Sequence, residues 1–341
     1  MNLAEYRKGV NIEGALPKAI FNVSPTKRVV FSKGNLQFRE SYYKCSKNAD
    51  GESCHGIWRF AEHQWEVKLQ ENNGRHFIKE GTEDKWIDLF GWGTSGWKGG
   101  IESYFPWSTS CNPLLYRIAV ENGAVKNYAN ADWGWYNSIS NGGNAPHLWR
   151  TLSSDEWLYL LNHTRWTFAC IEGIDCLLLL PENFIAPDEI RVFEINGILS
   201  FLDDSGYDSG YFYRLKEEDY LKEDLKRGKY SCNLYEALQF SVLEDFGVVA
   251  LPAGCQRNGR FFSGNIQHKF GTYWLSDLFL DLEQPIDIYK EQKFSLSFSL
   301  YFDKDYPSDD PSYFSDDPSC LCLCSDFDSS TGRSVRLVHD L

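Results

Sequence analysis

The chain has 341 residues, 43% of them hydrophobic and 16% aromatic, with 12 Trp, 19 Tyr, 23 Phe and a single Met; this is enough apolar mass for one extended domain or two closely packed ones. A net charge of −14, with no local Lys/Arg stripe to offset it, argues against a nucleic-acid partner, and no apolar run approaches the roughly 20 residues of a membrane-spanning helix. The ten cysteines are irregularly spaced without a Cys-x-x-Cys pair, which removes the common zinc and thioredoxin signatures.

In chain order, residues 1–20 mix charges with Gly14 and Pro17 and read as an N-terminal arm. Met1–Tyr6 has no apolar h-region and no lipobox-like Cys, so nothing in it marks the chain for secretion. Residues 21–84 read as a β-rich elaboration. Within it, Arg28–Phe31 and Leu36–Arg39 are strands that the turn Ser32-Lys33-Gly34-Asn35 should join into a hairpin. Ile57–Phe60 is a further strand, and Glu62–Lys68 is expected as a short helix.

Residues 85–341 read as the main domain. It opens on an aromatic, glycine-punctuated stretch, Trp86 to Trp97, whose style returns at Trp133-Gly134-Trp135-Tyr136 and Ser140–Asn144. Such a Trp/Gly patch is either a carbohydrate-stacking platform or a core of long loops pinned by large rings. Ser153-Ser154-Asp155-Glu156 is a capping box, and Trp157, Leu160 and Leu161 then fall on one helical face. Phe168–Ile171 and Cys176–Leu180 flank a Glu172–Asp175 turn as a hairpin stopped by Pro181, with Leu177–Leu180 fitting a buried strand. Residues 203–231 form an acidic, Tyr-rich insert. A second helix is expected to start at Asn233 and to end at Gly247 in the C′ position. Val248–Leu251 leads into the last quarter, which closes on the strand Gly332–Val338. Two short helices among many strands predict an α+β fold with a mainly antiparallel sheet and long loops.

Little in the chain reads as reaction chemistry. The seven histidines fall in no acid–base motif, and no Gly-x-Ser-x-Gly elbow is present. The aspartates crowded between Asp303 and Asp328 lack EF-hand spacing, so a solvated acidic loop accounts for them better than a calcium site. Cys320, Cys322 and Cys324 alternate along a strand and share one face. A soft-metal site there would need a fourth ligand that the sequence does not nominate. No cofactor, metal or catalytic residue is expected.

The ordered series Val29–Leu36, Trp58–Glu62, Asp88–Gly96, Trp149–Ser153, Leu251-Pro252-Ala253-Gly254, Gly271-Thr272-Tyr273-Trp274 and Ser334–Val338 resembles the C-type-lectin-like proteins of gut Bacteroidetes and their phages. These are relatives of the formylglycine-generating-enzyme type of lectin fold and of the Fibrobacter major paralogous domain family. The resemblance covers most of residues 20–341. It implies a C-type-lectin-like fold, a region at 251–341 open to diversification by a diversity-generating retroelement, and a receptor-binding or adhesion role on a phage tail or bacterial surface. From Ser295 to Gly332, every residue except Lys304 belongs to the set reached by mutating the adenines of an AAC or AAT codon, which agrees with that implication. The repeat of Ser308–Ser312 as Ser315–Ser319 explains part of the same bias.

On this reading a display face lies in residues 256–331, with Arg257, Asn258, Phe261, Phe262, His268, Tyr273, Asp277, Phe279, Tyr289, Tyr301, Tyr306 and Tyr313 as ligand contacts. Aromatic rings supply rigid area there, and polar groups supply adaptable hydrogen bonds. Trp274, Arg336 and Val338 are assigned to scaffold. The expected partner is a protein or glycan receptor on a cell surface, without nucleic acid or membrane span, and oligomers are compatible with the role. The alternatives are an oxidase of the formylglycine-generating type, suggested by Cys320 or Cys324, and a calcium-dependent sugar lectin.

Overall fold

The structure is a computed structural model that describes residues 9–40, 46–51, 53–54, 56–68, 86–116, 118, 128–192, 200–204, 208–214, 233–254, 256–258, 261–262, 270–280, 291–299, 320–326 and 329–341. It is an α+β fold, mostly strand. Among the described ladders between strands all are antiparallel except the short one between Leu234–Tyr235 and Cys170–Ile171.

The first sheet joins the two ends of the chain. Strand β1 (Ala15–Asn22) pairs with β2 (Arg28–Ser32), and β2 pairs with the terminal strand β18 (Val338–Asp340). The residues read as an arm therefore end in a strand, because Ala19 and Phe21 have a core to enter. Strand β3 (Leu36–Glu40) pairs with β6 (Gly56–Phe60), while β4 (Ser46–Lys47) and β5 (Ser53–Cys54) form a short ribbon. β2 and β3 are both strands as expected, but they do not form a hairpin. The segment before β18 runs between them, accepting from Ser32 N at Leu337 O (3.0 Å) and from Leu36 N at Val335 O (2.9 Å). Residues 62–68 are turns and extended chain, not a helix.

The predicted hairpin is β7 (Arg165–Ile171) with β8 (Ile174–Leu180). Its two-residue turn, Glu172-Gly173, has positive φ at both positions (51° and 80°), the mirror-image turn whose twist suits flanking strands. Strand β11 (Leu234–Tyr235) and β12 (Val249–Pro252) flank this hairpin in a four-stranded sheet. The apolar run in β8 is divided by strand periodicity: Leu177 and Leu179 enter one core, and Cys176, Leu178 and Leu180 enter another on the opposite face.

Among the described residues three α-helices accompany the sheets. α1 (Trp133–Tyr136) is a single turn. α2 (Ser154–His163) has the capping box of Ser153 with Glu156, and its Trp157, Leu160 and Leu161 are buried as the spacing requires. α3 (Ala237–Asp245) starts one turn later than expected, with Glu236 as N-cap and Gln239 reaching back. Asn233 is instead bonded to Thr167 Oγ1 and Phe168 O at 3.1 and 2.9 Å, which holds Leu234–Tyr235 as a strand. α3 ends at Gly247 as predicted; Gly247 N donates to Glu244 O and Val248 N to Leu243 O (2.8 and 3.1 Å), the two bonds of a Schellman motif.

The last quarter contributes strands β13 (Arg257–Asn258), β14 (Phe261–Phe262), β15 (Phe270–Leu280), β16 (Glu291–Ser299) and β17 (Cys320–Asp326). β15, β16 and β17 continue through β10 (Asp208–Arg214) to β9 (Ser200–Asp204) in a five-stranded sheet. Leu296, Leu321 and Leu323 of this sheet pack with Phe31, Trp157, Leu177 and Val338 in one core, so strands from both sides of residue 84 share a sheet and an interior. A second core gathers Trp58, Trp92, Trp133, Trp149 and Trp274 with Val335 and Leu337.

Candidate functional site

The segment 329–334 organises the region where ligand contacts were expected. Ser329 O accepts from Trp92 N at 2.9 Å, and Gly332 and Arg257 exchange both backbone bonds at 2.6 and 2.9 Å. Arg333 exchanges both with Phe90, and Ser334 joins β15 through Thr272 and Trp274. Of the expected closing strand Gly332–Val338, only Val338 lies within β18; the rest is chain that bonds in turn to Arg257, Phe90, β15, Leu36 and Ser32.

Arg257 fixes the β13–β14 hairpin at its root. Its side chain is fully buried, its Nη2 donates to Ser108 O at 3.2 Å, and the Gly332 backbone lies against its guanidinium. A methyl group on Gly332 would sit 2.8–2.9 Å from Nε, Cζ and Nη2. Burial pulls the Arg257 pKa below its ordinary value. Next to it Arg333, also buried, places its guanidinium 4.6 Å from the Trp274 ring, and Trp274 Nε1 donates to Phe90 O at 2.7 Å. Trp274 is thus scaffold, as expected.

Arg257 is therefore an inward anchor and not a displayed contact. Tyr273 is another correction. It is a core residue whose hydroxyl donates to Pro252 O at 2.8 Å and accepts from Asn35 Nδ2 at 3.1 Å, and burial raises its pKa. The same buried network continues from Asn35 to Arg336, from Arg336 Nη2 to Gln64 Oε1 (2.6 Å), and from Gln64 Nε2 to Glu244 (3.0 Å). Burial brings the Arg336 guanidinium down to about 10, with the nearby Glu244 carboxyl acting in the opposite direction. This use of Gln64 helps hold residues 62–68 out of a helix.

Asp277 is likewise engaged. The ladder between β15 and β16 breaks between Trp274 and Leu278, and within the break Ser276 N donates to Leu152 O while the Asp277 carboxylate accepts from Ser154 N. It acts as an extra anion at the start of α2, where the helix dipole favours negative charge. Of the other expected contacts, Asn258, Phe261, Phe262 and Phe279 are placed by their backbone in β13, β14 and β15. His268, Tyr289, Tyr301, Tyr306 and Tyr313 lie outside the described residues.

The residues that the sequence did not single out come from the loop 104–116. Tyr104 packs tilted on Phe105 and Phe105 stacks on Trp107, with ring centroids 4.2 and 4.8 Å apart, and Trp107 packs on Phe38 at 5.7 Å. Trp107 is buried, but Phe105 remains 37% exposed and Leu114 43%. The loop is tied to the last quarter by the Arg257–Ser108 bond and by Ser329 Oγ donating to Pro113 O at 3.4 Å. The only signal for it was aromatic density. Chemically the arrangement offers apolar area on a rigid root. Among the described residues no group of three or more His, Cys, Asp or Glu could hold a metal ion, and no helix is long and apolar enough to cross a membrane.

The chain matches no known family model, no curated protein and no solved structure.

Proposed function

We propose that this protein is a ligand-binding protein of the adhesion or receptor-binding kind, with a C-type-lectin-like fold, working from a virion or a bacterial surface. Its binding face combines the β13–β14 hairpin with the aromatic loop 104–116. The observation that carries this reading is the root of that hairpin: a buried Arg257 clamps the hairpin, the segment 329–332 and the loop together, while Phe105 stays exposed. A fixed root beneath projecting residues is what a display face needs, since pre-organisation lowers the entropy lost on binding. The ligand class is a protein or glycan receptor.

The test is binding of the purified protein to glycan and bacterial-surface arrays, repeated with Phe105→Ala. Phe105 is exposed enough that its removal should leave the fold intact while weakening binding by about tenfold, the scale of one lost aromatic contact. Binding that Phe105→Ala leaves unchanged would remove the loop from the face, and silence on every array would remove the reading. Sequencing the gene's neighbourhood tests the diversification arm. A reverse transcriptase and a near-copy of the region encoding residues 251–341, mismatched at template adenines, would identify the variable contacts directly.

A further inference from the structure

A second exposed aromatic lies away from the Arg257 root. α1 is one turn long, and its Asp132 cap accepts from Gly134 N and Trp135 N at 2.9 and 3.1 Å and from Thr151 N at 2.8 Å. This turn sends Trp133 and Tyr136 into the core and leaves Trp135 37% exposed. The His147 ring packs against Trp135 with centroids 4.5 Å apart and planes at 72°, and His147 N donates to Trp135 O at 3.0 Å.

The loop that carries His147 is held in an unusual backbone shape. Gly143, Asn144 and His147 have φ of 87°, 50° and 64°. Positive φ is uncommon for a residue other than glycine, although Asn and His enter this region more readily than most, and it is held here by the surroundings. Asn141 exchanges two hydrogen bonds with the Phe60 backbone at 2.8 and 3.0 Å, Trp149 Nε1 donates to Gly142 O at 2.8 Å, and Asn144 N donates to Ile139 O at 3.0 Å. The exposed side chains on this frame are those of Trp135, Ser140, Asn144 and His147. Residues 140–147 contain no Asp, Glu, Lys or Arg in a chain whose net charge is −14.

The geometry points to a shallow pyranose-binding subsite at Trp135, Asn144 and His147. A pyranose presents an apolar C–H face and a ring of neutral hydroxyls. An indole can stack on the first, and an amide and an imidazole can each donate or accept toward the second. The loop has no carboxylate, lysine or arginine to recruit a charged ligand, and its backbone is fixed by the bonds to Phe60, Trp149 and Ile139. The subsite does not depend on the reading of the C-terminal face, since it shares no residue with it.

The experiment is saturation-transfer NMR on the full chain with the methyl pyranosides of glucose, galactose, mannose and N-acetylglucosamine, compared with Trp135→Ala, Trp135→Phe and Asn144→Ala. Binding of at least one pyranoside is expected with a dissociation constant on the order of millimolar, as suits a small ligand on an open site. Trp135→Ala should weaken it about tenfold or more, Trp135→Phe should restore most of the loss, and Asn144→Ala should weaken it several-fold. Thermal midpoints near that of the parent would show that these variants are folded. No pyranoside signal at 50 mM (about ten times the expected constant), or a signal that Trp135→Ala does not reduce, would overturn the subsite. Neither result bears on Phe105, so the two proposals fail separately.

Discussion

Replacing Gly332 by Ala is the most direct probe of the Arg257 root. A Cβ at this position would lie 2.8–2.9 Å from three atoms of the Arg257 guanidinium, about half an ångström closer than ordinary contact. The guanidinium has little room to retreat, since its side chain is fully buried and bonded to Ser108 O. Overpacking of this kind costs about 1–3 kcal/mol. Arg257→Ala removes the obstacle but also a charged hydrogen bond worth about 1.5–3 kcal/mol, partly offset by release of a buried charge. The two changes should therefore be strongly non-additive. In urea unfolding at 25 °C, Gly332→Ala should cost about 1–3 kcal/mol in the parent and less than about 0.5 kcal/mol in the Arg257→Ala background, a coupling of the size seen for residues in contact. Equal costs in both backgrounds would refute the claim that the guanidinium dictates glycine at 332.

Two further outcomes are expected. Gly247 has φ of 85°, and a Cβ there would lie 2.3 Å from Lys18 O, whereas Gly51 has φ of 77° with nothing within 4 Å. Gly51→Ala should thus cost only the left-handed penalty of about 1–2 kcal/mol, and Gly247→Ala clearly more, as read from their urea midpoints; equal costs would contradict the close approach of α3's end to β1. The second concerns acid. Arg150 donates to both oxygens of Glu156 at 2.6 and 2.8 Å and to Asp340 at 2.6 Å, and Lys27 donates to Glu156 at 2.9 Å. Burial works to raise both carboxyl pKa values, but these hydrogen bonds and charges outweigh it and leave both below their ordinary 4.5 and 3.8. Depressed carboxyl pKa values add stability above the unfolded values and lose it as pH falls through the folded ones. Burial raises the pKa of Asp132, Glu244 and Asp277, which gives the opposite slope, so the difference between variants is the informative quantity. The stability gap between parent and Arg150→Ala should shrink from pH 6 to about pH 3; a constant gap would show that the cluster contributes nothing through its charges.

Local chemistry in the sequence determined several elements. Ser153 and Glu156 cap α2 because both partners lie within one turn. The hairpin of β7 and β8 was legible from its flanking apolar runs and Gly173, although its turn is the two residues Glu172-Gly173 and not Glu172–Asp175, and the run Leu177–Leu180 reads as strand because both of its faces are apolar. Gly247 ends α3 for a similarly local reason. Tertiary structure decided what depends on distant partners. β2 and β3 are strands by composition, but residues 335–340 arrive between them and take the pairing that a hairpin would have used. Gln64 sits in a stretch that could be helical, yet its amide is drawn into a buried network with Arg336 and Glu244, more than 170 residues away.

The same division holds for the sites. Arg257, Tyr273 and Asp277 carry the side chains expected of a contact surface, but Arg257 and Tyr273 are buried, Asp277 is half-buried, and each is bonded to a partner from elsewhere in the chain, Ser108, Asn35 and Ser154. Trp133 and Trp135 are two residues apart in a uniformly aromatic stretch, and composition treats them alike. The Asp132 cap winds one helical turn at that point, and helical geometry puts residues two apart on different faces, so Trp133 fills the core and Trp135 meets solvent. Residue type and spacing set what each segment can form. Which face is buried is a property of the assembled chain, because burial depends on partners that sequence order does not reveal.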